Sequence, residues 1–124
     1  MIKFLLNDRT LDVAATEQLG LALDVTDAEA VFDLCVTVPG GPVMVMLRNG
    51  AEAWLMFLRE SGDAGFRSSG DVTRQGDASY TLSNGQVDAY PLAWCIDVEK
   101  CYKAVEYFCM NLGARPDSVA WVED

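Results

Sequence analysis

YTLSNGQVDAYPLAWCIDVEKCYKAVEYFCMNLGARPDSVAW, residues 80–121, reads as a β-hairpin, an amphipathic helix and a proline-led terminal strand. Asn84-Gly85 signals the hairpin turn, because that pair readily takes the positive φ angles of a two-residue type I′ loop. Such a turn opposes Leu82 to Val87 and Tyr80 to Ala89 on an apolar face, with Thr81 opposite Asp88 and Ser83 opposite Gln86 on a polar one. Asp97 is placed to cap the helix that follows, and Glu99 sits in its first turn, where a negative charge suits the helix dipole. Cys101, Ala104, Val105, Phe108, Cys109 and Leu112 then recur at helical spacing and mark the face that packs on a sheet. Gly113 falls at a C′-like position, Pro116 stops continuation, and residues 118–122 alternate weakly enough to add a last strand.

Upstream, Phe32-Asp33-Leu34-Cys35-Val36-Thr37-Val38 alternates strictly and is expected to be a half-buried strand with Phe32, Leu34, Val36 and Val38 on one side. Pro39-Gly40-Gly41-Pro42 is a turn. Residues 43–48 and 51–58 are apolar runs joined by Asn49-Gly50, a second expected type I′ hairpin that opposes Val45 to Trp54 and Met44 to Leu55. Both faces of that hairpin are apolar, as in central strands covered on two sides. Residues 59–65 form a polar turn, 66–69 a short strand, and Ser68 to Asp77 the longest polar stretch, an exposed loop. The first thirty residues carry the weakest signals. Residues 16–23 are a short helix interrupted by Gly20, and Thr26 with Glu29 has capping-box spacing for another start. The expected fold is α+β: one domain over residues 1–124, with an antiparallel meander sheet of about five to seven strands packed by a C-terminal amphipathic helix.

Composition narrows the function. Nineteen carboxylates face nine Lys and Arg, for a net charge of −10. A field of that sign repels phosphates and anionic membranes, and speeds encounter with a basic protein. Histidine is absent, which removes the side chain that titrates near neutrality and the commonest metal ligand. No Gly-rich phosphate loop, no zinc-deaminase signature and no local base beside Ser68-Ser69 occurs, so the expectation is a non-enzyme with no metal and no cofactor. The four cysteines, Cys35, Cys95, Cys101 and Cys109, lack knuckle spacing and read as small buried side chains. No apolar run reaches the ~20 residues of a membrane span, and no signal segment is evident, so the chain is expected in the cytoplasm.

The hairpin strands around Asn49-Gly50, Gly85 in the second hairpin, Ala104 with Tyr107-Phe108, and Arg115-Pro116 followed by Val119-Ala120-Trp121 resemble, over residues 30–124, the first-numbered immunity-protein family of bacterial polymorphic toxin systems. The resemblance implies a small α+β antitoxin that binds a cognate toxin one-to-one and occludes it, often a nucleic-acid deaminase. For a toxin of the kind the resemblance implies, physical reasoning puts the contact surface on exposed carboxylates suited to a basic groove: Glu60, Asp63, Asp71, Asp77 and Asp88, with Tyr90 as an aromatic anchor. An acidic chaperone or adaptor for another basic secreted effector is the alternative reading of the same features.

Overall fold

The computed structural model describes residues 2–124. Seven antiparallel strands form the main sheet, with β1 (Lys3–Leu6), β2 (Arg9–Leu11), β3 (Val31–Thr37), β4 (Val43–Asn49), β5 (Glu52–Leu58), β6 (Phe66–Ser68) and β9 (Trp121–Glu123) in the order β2-β1-β3-β4-β5-β6-β9. Strands β7 (Asp77–Thr81) and β8 (Val87–Pro91) pair separately. Two helices, α1 (Thr16–Asp27) and α2 (Val98–Met110), complete the α+β fold, and α2 contacts β4 and β5.

Strand alternation divides the sheet into two unlike faces. Phe4, Leu6, Phe32, Leu34, Val36, Met44, Met46, Leu55 and Phe57 point to the helices and are buried against Leu19, Ala22, Cys101, Ala104, Val105 and Phe108. Phe57 and Phe108 meet edge-on with ring centroids 6.2 Å apart, a favoured aromatic arrangement. The other face carries Leu5, Cys35, Val45, Leu47, Trp54 and Met56. Of these, Leu47 and Trp54 are buried, beneath Tyr80 of the β7–β8 hairpin.

Helix α2 begins where its cap is legible: the Glu99 amide donates to Asp97 Oδ1 at 2.9 Å. Its end differs from expectation. Leu112, not Gly113, occupies the left-handed C′ position (φ 54°), and the Gly113 amide closes the helix by donating to the Phe108 carbonyl at 2.8 Å. This is a Schellman-type ending with glycine one place further on. Leu112 therefore leaves the apolar stripe and is 82% exposed. Helix α1 runs through Gly20 to Asp27. Thr26 is not an N-cap: it lies in the last turn, fully buried, and its hydroxyl donates back to the Ala22 carbonyl at 2.7 Å.

Both expected hairpin registers shift. In the β4–β5 pair Leu47 opposes Trp54 and Val45 opposes Met56, and the loop residues are Gly50 and Ala51. The slip is by two positions, so every side chain keeps its face. Gly50 takes the positive φ (61°) and its amide donates to the Ala30 carbonyl, while the Asn49 side chain donates to the Ser79 carbonyl. These tertiary bonds displace the local Asn-Gly preference. In the β7–β8 pair the loop is Ser83-Asn84-Gly85, closed by the Leu82 amide on Gln86, with Gly85 at φ 88°. Three-residue loops of this kind end on a left-handed residue. Tyr80 now opposes Asp88 and Thr81 opposes Val87, so Asp88 leaves the expected polar outer face and Val87 becomes 62% exposed. Burial of Tyr80, Leu82 and Tyr90 against Trp54 decides this register.

The first hairpin, β1–β2, turns at Asn7 (φ 47°) and Asp8 (φ 73°). Two successive left-handed residues make a type I′ turn without glycine.

Candidate functional site

The incomplete cover on the second sheet face creates the site. Leu5, Cys35, Val45 and Met56 are successive cross-strand partners and form one apolar row across β1, β3, β4 and β5. The β7–β8 hairpin crosses above the start of β3 and the end of β4. It is tied there by Asn49 to the Ser79 carbonyl (2.8 Å) and by the Ser83 amide to Asp33 Oδ2 (3.1 Å). Between the row and the hairpin lies a groove of about 440 Å³, walled by Leu47, Trp54, Leu82, Ser83 and Tyr90.

Its ends differ in charge. Asp8 and Asp33 line one end, and no Lys or Arg lines the groove. Asn7 ties the β1–β2 turn to the backbone of Asp33: its amide donates to the Asp33 carbonyl, and its side-chain oxygen accepts from the Asp33 amide, both at 2.9 Å. Of the cations on this face, Lys3 lies toward its other end, Arg67 stands beside Met56, engaged by Asp124 and stacked 4.5 Å above the Trp94 ring, and Arg74 is paired with Glu52.

Tyr90 roofs the groove. Its ring centroid is 4.8 Å from that of Trp54 and 5.8 Å from that of Trp94, and its hydroxyl donates to Asp88 Oδ2 at 3.3 Å. Burial, then the charge of Asp88 and its hydrogen bond, then the charge of Asp33, push the phenol above its ordinary range. It stays protonated and donates. Trp54 is 1% exposed, and its indole N–H finds no acceptor among the described residues. An orphaned buried donor costs roughly 1–3 kcal/mol.

The six contact residues expected from sequence fall in three separate places. Asp88 and Tyr90 come together beside the groove. Glu60 and Asp63 sit beyond the end of β5. Asp71 and Asp77 lie near its start, where Arg74 pairs with Glu52 at 2.9 Å. The seven residues of β5 separate these groups by about 20 Å. Asp63 is moreover held by Arg59, whose guanidinium and amide both donate to it, and its pKa falls to about 2. Asp71 spends one oxygen on the amide and hydroxyl of Thr73. Sequence reasoning passed over Asp8 and Asp33. Asn7-Asp8 between two short apolar runs is a hairpin signal that could have found the first. Asp33 alternates into a strand and gives no separate sign.

Catalytic arrangements are poorly supported. Burial raises all four thiols above the ordinary cysteine value, with Cys109 pushed up to about 11, which suppresses the reactive thiolate. No group of His, Cys, Asp or Glu among the described residues is arranged to hold a metal ion. A second cleft of about 400 Å³, between the start of α1 and the end of α2, is lined by Ile2, Val13, Leu19, Met110 and Leu112 and has no charged group. No helix among the described residues is long and apolar enough to cross a membrane.

An α+β domain whose sheet is sealed on one face, and on the other leaves an apolar groove with an acidic end, has the build of a protein-binding module. The sequence profile of the immunity protein Imm1 family matches residues 7–123. The chain belongs to that family, and is an immunity protein against a toxin. A search among curated proteins found no match.

Proposed function

We propose that this protein protects the cell that makes it by binding a cognate toxin domain one-to-one in the cytoplasm and covering its working surface, with no catalysis of its own. The single observation that carries the reading is the family match over residues 7–123. The toxin of choice is a nucleic-acid deaminase, the class that the resemblance associates with such proteins. Charge supports this choice, since a toxin that holds nucleic acid needs a basic surface and this chain has a net charge of −10. Asp88 and Tyr90 belong to the contact. Glu60, Asp71 and Asp77 steer the encounter from outside it, a role that needs charge but no fixed geometry. Asp63, already neutralised by Arg59, contributes least.

Co-expression with the toxin encoded beside this chain's gene tests the reading. Cells carrying both are expected to survive, the two proteins to co-purify in equal amounts, and deaminated bases to accumulate only when the immunity protein is withheld. Killing of cells that carry both would refute protection. Killing in the toxin-only control without deaminated DNA or RNA would remove the deaminase and leave protection standing.

A further inference from the structure

We infer that the groove on the open sheet face is the docking site for the toxin, and that it takes an extended toxin segment carrying an arginine or lysine beside an aliphatic residue. The inference rests on the proposed immunity function and adds where, and by what chemistry, the toxin is held. The occupant follows from the groove itself. Val45 and Met56 present a half-buried apolar floor that water covers in the free protein and that an aliphatic side chain would dry. Asp8 and Asp33 stand at one end without a cation in the lining, and Asp33 pairs with none among the described residues. A guanidinium or ammonium entering there meets two carboxylates on segments that Asn7 ties together, and charge-assisted hydrogen bonds are the stronger ones.

Two features of the free protein point to a built site. Asp8 holds the left-handed position of a type I′ turn, a conformation that Asp tolerates, so the turn fixes the backbone from which its carboxylate extends. Trp54 lines the groove with a buried, partnerless N–H. Tyr90, anchored on Trp54 and Trp94, supplies the rigid aromatic wall common at binding hot spots.

The test uses the full chain and the toxin domain encoded beside its gene, measured by calorimetry and by association kinetics. The double variant Asp8→Gly/Asp33→Asn removes both charges while keeping the turn and the acceptor for the Ser83 amide, and Val45→Glu places a charge on the floor. Circular dichroism checks that each is folded. Loss of a desolvated charge pair is expected to weaken binding by about 100-fold in the double variant, and Val45→Glu to lose it more completely. Asp71→Lys/Asp77→Lys, outside the groove, is expected to slow association while leaving dissociation unchanged. Wild-type affinity in both folded groove variants would overturn the groove while leaving the immunity function intact. Absence of binding by the wild-type chain would instead overturn the immunity reading, and the groove with it.

Discussion

The two faces of the main sheet come from the same alternating strands and end in different states. On the helix side, Phe4, Leu34, Met44, Leu55 and Phe108 are all fully buried. On the hairpin side the cover reaches Leu47 and Trp54 and stops short of Leu5, Cys35, Val45 and Met56. A helix lies along a sheet and seals a broad stripe, whereas a two-stranded hairpin crossing one end seals only what lies under it. The first face supplies stability. The second keeps apolar surface half-wet, and such surface is the kind that marks binding sites.

Truncation should separate the faces by size of effect. Phe108→Ala is expected to cost about 3–5 kcal/mol, read as a fall in the denaturant midpoint, with little change in affinity for the toxin beyond the loss of folded protein. Ser68→Ala tests the seam between the sheet and the hairpin side. The Ser68 hydroxyl accepts from the Leu55 amide and donates to the Trp94 carbonyl, and the residue is fully buried. Losing both bonds is expected to cost roughly 1–3 kcal/mol. Val45→Ala should cost less than about 1.5 kcal/mol, the low end of core truncations, because its site is already half-open. A cost equal to that of Phe108→Ala would erase the distinction between the faces.

Thiol labelling sharpens the same contrast. Cys101, fully buried on the helix face, should react only on global unfolding. Cys35, half-buried in the groove, should react slowly in the native protein, since burial and the charge of Asp33 raise its pKa, and bound toxin should shield it. Equal native rates for the two would argue that the groove is closed.

The smallest expected effect is at the sheet's far end. Arg59 lowers the pKa of Asp63 to about 2. A depressed carboxylate adds stability above its unfolded pKa, near 4, and that contribution disappears as the pH falls through about 2. Asp63→Asn should therefore flatten the stability profile slightly between pH 4 and 2 and leave toxin binding at neutral pH unchanged. The effect is small because the pair is exposed.

The helix α2, its Asp97 cap and the buried faces of β3, β4 and β5 were legible from spacing alone, because periodicity survives even when register slips by two. The β7–β8 hairpin was legible as a hairpin but not in its pairing: one residue of slip exchanges the faces, and it was packing of Tyr80 and Tyr90 on Trp54 that chose between them. The β1–β2 hairpin escaped notice because its turn lacks glycine. Gly70 shows a similar limit. A Cβ there would lie 1.8 Å from the Cys95 carbonyl oxygen, an approach of two chain segments that no local pattern announces.

By itself, then, the sequence determined the core of the central strands and of α2 short of Leu112, how strongly negative the chain is, and which C-terminal helix would cover the sheet, since these depend on residue type and period. Tertiary structure alone decided where the cover ends and which carboxylates share a cleft. Asp8 and Asp33, 25 residues apart, line one groove because Asn7 ties their segments, and the carboxylates on the exposed middle loops are spread along β5 instead. Charge counts are additive along a chain; proximity is set by register and by the reach of one short hairpin.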